Sequence, residues 1–134
     1  MSIHQEVSYP VSPERLFDLL TDEAQFASAT GVPARMGRGE GAPFSLFDGH
    51  VEGRHLELVP GRRIVQAWRG VDWEPGAYSV VRFTLRPEGA GTTLVLDQEA
   101  YPKGASPLYP SWHEHLATNW PVFYFGPFAK HLAA

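Results

Sequence analysis

His55 and Glu57 lie two positions apart in the run from Val51 to Val59, and they are the first residues of this chain that could do chemistry. On a strand, positions two apart share a face. Both would then stand on the side of Val51 and Gly53. If that side faces inward, they are buried polar groups that need partners, able to orient a ligand or to act as acid and base. The competing placement is a solvated rim, with pairing to an arginine such as Arg54 or Arg82. Leu56 and Leu58, on the other parity, compete for the core and favour the rim. His113, Glu114 and His115 have the residue types of a metal site but not its spacing. Residues two apart on a helix point about 200° from one another, whereas an HExxH motif sets its histidines one turn apart. No third ligand accompanies them, so neither a metal nor another cofactor is expected; His115 is left as a residue that could face a pocket. Asp97, Gln98, Glu99 and Tyr101 close the last predicted strand. Gln98 shares the face of Leu94 and Leu96, where it could hydrogen-bond a ligand at a cavity mouth, while Asp97 and Glu99 fit solvated positions. The glycine-rich stretch Gly37-Arg38-Gly39-Glu40-Gly41 lacks the lysine and the following helix of a phosphate-binding loop. No Ser–His–Asp order is present, and no residue is assigned a catalytic role.

The bulk composition narrows the function classes further. With 134 residues, 43% of them hydrophobic and 19% charged, the chain suits one folded domain, residues 1–134, with a real core. Its net charge is −4, and its only adjacent basic pair is Arg62-Arg63 in a predicted turn. That is a poor footprint for a phosphate backbone, so nucleic acid is not expected as a partner. Cysteine is absent, which removes disulfides, thiolate nucleophiles and cysteine-based zinc sites. The first ten residues show no basic leader or apolar run, and no segment approaches the ~20 apolar residues of a membrane span. A cytoplasmic location is the expectation. Abundant Ala, Gly, Pro and Arg, with a single asparagine at Asn119, point to a GC-rich bacterial genome.

The elements that must position these residues read as one strand, two short helices, about six further strands and a C-terminal helix. Ile3, Gln5, Val7 and Tyr9 alternate with polar neighbours as a first strand. Ser12 and Pro13 open a helix carrying Leu16, Leu19 and Leu20, and Thr21-Asp22 can cap a second around Phe26. A weak strand falls near Ala34 and Met36. The run Phe44 to Trp68 reads as three strands separated by turns at Asp48-Gly49 and Pro60-Gly61. Tyr78 to Arg86 and Thr92 to Glu99 complete the set, with Val81, Phe83 and Leu85, then Leu94, Leu96 and Gln98, on single faces. Short turns between consecutive strands imply an antiparallel meander. From Pro107 to Leu132 the aromatic density is high, and Trp112, Leu116, Trp120, Tyr124 and Phe128 recur at helical spacing. Pro121 and the pair Gly126-Pro127 interrupt this helix. Proline there costs roughly 3 kcal/mol, so a kink is expected near Trp120-Pro121 and a second disturbance near Gly126-Pro127.

These strings resemble the START-like, helix-grip superfamily (the birch-pollen-allergen fold). Within it they are most similar to the group related to the C-terminal domain of the activator of the heat-shock-protein-90 ATPase. VSPERLFDLLTD resembles that group's first helix, and FSLFDGHVEGRHLELVPGRRIVQAWR its central hairpins, with Gly53, Glu57, Pro60 and Trp68 at the matching places. VRFTLRPEGAGTTLVLDQE resembles the last two strands and HLATNWPVFYFGPFAKHL the final helix. The likeness spans nearly the whole chain. It departs at Asn119 before Trp120, at Gln98 near the end of the last strand, and at Pro121 and Pro127.

The resemblance implies an α+β helix-grip fold: a curved antiparallel sheet of about seven strands gripping a long C-terminal helix, with two short helices after the first strand and a pocket between sheet and helix. Trp68, Phe83, Leu94, Leu96, Trp112, Trp120 and Tyr124 would line that pocket, with Gln98, His115 and Glu57 as polar positions. Gly53 leaves room on the sheet. The alternative is that the same side chains form a packed core. Three functions follow as expectations, since fold does not fix function. The first is binding of an apolar or lipid-like small molecule in an internal hydrophobic cavity. The second is an interaction module that stimulates a chaperone ATPase, with the chaperone as partner. The third is a cyclase or dehydratase using a pocket acid such as Glu57. The oligomeric state is left open.

Overall fold

The computed structural model describes residues 2–101 and 112–133. Seven antiparallel strands form one sheet in the order β1-β7-β6-β5-β4-β3-β2. The strands are β1 (Ile3–Tyr9), β2 (Arg35–Met36), β3 (Pro43–Leu46), β4 (Val51–Val59), β5 (Arg63–Gly70), β6 (Ser79–Glu88) and β7 (Gly91–Glu99). From β2 to β7 each strand pairs with the next in sequence, as short turns dictate; β1 then adds beside β7. Helices α1 (Pro13–Thr21) and α2 (Glu23–Thr30) fill the connection from β1 to β2. This is the expected helix-grip α+β arrangement.

Local signals account for the helix ends. The Ser12 hydroxyl accepts from the Arg15 amide, with Pro13 in the first helical position, and Asp22 caps α2 by accepting from the Gln25 amide. Gly31 ends α2 at φ 75°, where a side chain would be strained. The two helices bury Leu16, Leu19, Leu20 and Phe26 against the concave face of the sheet. The turn predicted at Asp48-Gly49 is wider than a two-residue hairpin. It spans residues 47–50, with Phe47, Asp48 and Gly49 all at positive φ. A phenylalanine in that region is unusual; its ring is held 5.7 Å from Phe26 and 5.3 Å from Tyr124.

The C-terminal helix resolves the proline conflict by changing its winding. It comprises α3 (Trp112–Asn119), a π-helical stretch (Trp120–Phe125) and α4 (Gly126–Ala133). Pro121 has no N–H for the carbonyl of Ala117 one turn back. The Gln5 side chain on β1 donates to that carbonyl instead, at 2.8 Å. The Gly126 amide then closes a wide turn onto the Pro121 carbonyl. Both predicted disturbances therefore merge into a single widened segment rather than two kinks. The predicted helical start at 107–111 lies outside the described residues.

Candidate functional site

The space between the sheet and the C-terminal helix is occupied by rings. Trp120 lies 5.5 Å from Trp68, 5.8 Å from Phe83 and 4.3 Å from Tyr124. Leu94 and Leu96 beneath them are fully buried. Such ring pairs bury large areas in edge-to-face or offset contacts. The polar atoms among them are spoken for. Trp120 Nε1 donates to Gln98 Oε1 at 2.8 Å, and Gln98 Nε2 donates to Ser79 Oγ at 3.1 Å. Ser79 Oγ donates to the Trp68 carbonyl at 2.8 Å, and Trp68 Nε1 donates to Tyr124 Oη at 3.3 Å. Burial pushes the Tyr124 phenol well above its ordinary pKa, so it stays protonated. The structure thus brings Trp68, Phe83, Leu94, Leu96, Gln98, Trp120 and Tyr124 together, in contact with one another. The room expected above Gly53 is taken as well. A Cβ there would meet the Ala67 carbonyl and lie 2.7 Å from the Phe44 ring.

Trp112 is linked to that cluster through Trp73, which lies 5.8 Å from Trp68, and His115 stands beside Trp112. Trp112 packs on Trp73 at 5.5 Å, and His115 is half-buried beside it with the Asn119 amide at 3.1 Å. Burial lowers the His115 pKa, and Asp72 partly opposes this. His113 meets the Tyr101 hydroxyl. Among the described residues no group of three His, Cys, Asp or Glu could hold a metal. Trp73 was invisible to periodicity because it lies in a loop. It is nonetheless buried, held by Arg69 Nη2 donating to its carbonyl at 2.6 Å.

Glu57 departs most from the pocket expectation. A β-bulge between His55 and Glu57 makes Leu56 an extra residue: His55 stands opposite Gln66, Glu57 opposite Val65 and Leu58 opposite Ile64. Because the pleat alternates, one inserted residue exchanges the faces of everything after it. His55 and Leu58 therefore turn to the concave side, while Leu56 and Glu57 turn outward. Leu56 is 51% exposed, and Glu57 pairs with Arg63 rather than with Arg54 or Arg82. Glu40 serves the bulged backbone, its carboxylate accepting from the Leu58 amide at 3.1 Å. The rim expectation fits Glu57, but His55 is buried.

His55 marks a second site on the concave face. It is 1% exposed, and neither ring nitrogen has a hydrogen-bond partner. Burial lowers its pKa, so the ring is neutral at pH 7. Gln66, opposite it and 2% exposed, leaves Oε1 unpartnered. A cleft of about 380 Å³ opens over His55 between the end of α1, the start of α2 and residues 36–39.

Comparison with known proteins now places the chain. Residues 10–132 match the family model described as "Activator of Hsp90 ATPase homolog 1-like protein". The chain belongs to this family. The human activator of 90 kDa heat shock protein ATPase homolog 1 is 26% identical over 118 residues, covering 88% of this chain and 33% of the human protein. This chain thus spans about a third of the length of the curated relatives it matches. A crystal structure of an HSP90 activator from Plasmodium falciparum superposes with a TM-score of 0.91 at 26% identity, covering 99% of this chain and 96% of that one. The Aha1 dimer from Colwellia psychrerythraea shares the fold, with a TM-score of 0.76 at 17% identity over 98% and 96% of the two chains. No helix among the described residues is long and apolar enough to cross a membrane.

Proposed function

We propose that this chain is an interaction module that binds a chaperone of the 90 kDa heat-shock class and stimulates its ATP hydrolysis. The observation carrying this reading is the family match over residues 10–132, which takes in almost the whole folded domain. The ring-filled interior agrees with a protein that acts through its surface. Val122 and Phe123, 58% and 48% exposed on the widened helical segment, are the first apolar surface residues to vary. The test is the ATPase rate of the purified chaperone with increasing amounts of this protein. A saturable rise supports the reading, and an unchanged rate at saturating concentration overturns it.

A second reading is an apolar small molecule held between sheet and helix, lined by Trp68, Phe83, Leu94, Leu96, Trp120 and Tyr124. The π-helical segment favours it, because such segments occur frequently at functional sites and this one carries Trp120 and Tyr124. Native mass spectrometry of the purified protein tests it. A retained apolar molecule supports it; an unliganded mass, with no apolar probe bound on titration, discards it.

A further inference from the structure

We propose that the cleft over His55 is a binding site for a small amine that also carries a hydroxyl or carboxamide group. This goes beyond chaperone stimulation and does not depend on it. The floor supplies the first argument. A neutral imidazole offers one donor and one acceptor, and neither ring nitrogen of His55, which lines the cleft, has a partner. Buried polar side chains seldom go without partners, so these atoms call for one. A hydroxyl or a primary amide, which both donates and accepts, can meet whichever ring nitrogen faces it, N–H or lone pair; a carboxylate can meet only the N–H, and an alkyl group meets neither.

The rim supplies the positive end. Asp18, Asp22 and Glu23 stand round the opening against the single cation Arg38. Asp22 and Glu23 are fixed in place by accepting from the backbone amides of Gln25, at 3.0 Å, and Met36, at 2.9 Å. An ionised carboxylate has acceptor capacity beyond one such bond. With the histidine neutral, nothing on the floor competes for an ammonium group. Phe17, Met36 and Leu58 give the cleft apolar wall for a short carbon chain. Its volume of about 380 Å³ lies within the range of small-molecule sites, ~300–1,000 Å³. The bulge is what builds the site, since without Leu56 as an extra residue His55 and Leu58 could not share the concave face.

The experiment is a nitrogen-15 NMR titration of the folded protein with aminobutanol. Butylamine, butanol and hydroxybutyrate serve as probes lacking one feature each. The expected result is saturable movement of the Thr21, Met36 and Gly37 amides and of the His55 ring nitrogens. Each single-feature probe should bind at least about tenfold more weakly, roughly 1.4 kcal/mol. His55→Phe should abolish the movement while leaving the rest of the spectrum folded, and Asp18→Asn should weaken binding less. Should His55→Phe fail to fold, His55→Leu removes both ring nitrogens with a smaller side chain and is expected to abolish the movement too. Three results overturn the proposal. One is the absence of saturable movement with aminobutanol, which would leave ordered water as the partner of His55. Another is equal binding of butylamine, and the third is undiminished binding by a folded floor variant.

Discussion

Two parts of one concave face differ in how their polar atoms are treated. Under the C-terminal helix, Gln98, Ser79, Trp120, Trp68 and Tyr124 are buried and form a connected set of hydrogen bonds. Towards β4, His55 and Gln66 opposite it are equally buried, yet three of their polar atoms lack partners. Burial alone therefore does not separate structure from site. The first part uses these groups to fix the helix to the sheet, with Gln5 Oε1 left unpartnered at its edge, and the second leaves His55 and Gln66 Oε1 free.

Substitutions at five positions would break or sharpen this contrast. The largest effect is expected from Trp120→Ala, which deletes the ring at the centre of the first part. Core truncations of this kind cost about 3–5 kcal/mol, read as a lower urea midpoint. Gln98→Leu should follow at about 1–3 kcal/mol, because Trp120 Nε1 loses its acceptor in a buried place. His55→Phe should behave oppositely to both. Replacing an unpartnered polar ring by an apolar one of similar shape is nearly neutral or stabilising; a loss above about 1 kcal/mol that the smaller His55→Leu repeats, where overpacking plays no part, would show that His55 has a structural partner.

That same variant carries a pH signature. The folded pKa of His55 lies below its unfolded value of 6.5. Below pH 6.5 the unfolded chain therefore takes up the proton that the folded chain refuses, and stability falls as pH falls towards the folded pKa. His55→Phe should flatten this slope in urea melts. His4 works in the other direction. Its pKa is raised by hydrogen bonds to Asp97 and then Glu6, so its contribution is complete below pH 6.5 and fades as pH rises through the folded pKa. A His4→Gln background separates the two. The smallest effect is expected from Glu57→Gln. The Glu57–Arg63 pair is well exposed, and such pairs contribute about 0–1 kcal/mol; the thermal midpoint should barely move.

The sheet and both short helices were legible because their signals are local. Strand alternation, the caps at Ser12 and Asp22, and the turn dipeptides act within a few residues of one another. The inward faces of β6 and β7 followed from alternation alone. The faces of β4 did not, since a bulge has no fixed residue signature and Leu56 looks like core until its register is known. Trp73 escaped for the related reason that a buried loop residue has no period. In the helix, Pro121 announced a disturbance, but the answer lay in Gln5, more than a hundred residues away, whose side chain replaces the missing amide. Whether rings would line a void or fill it turned on contacts such as Trp68 with Trp120, which no single segment encodes.

Those contacts have an optical consequence. All four tryptophans form one unbroken series, Trp112 to Trp73 to Trp68 to Trp120, with ring centres 5.5, 5.8 and 5.5 Å apart. Indoles so close exchange excitation, so emission reports on the whole series rather than on one ring, and their coupled transitions mark near-ultraviolet dichroism. The series runs from the start of α3, through a loop and the end of β5, to the widened helical segment. Separation of helix from sheet at either point would change its colour and its polarisation together, making the chain its own unlabelled gauge of that docking.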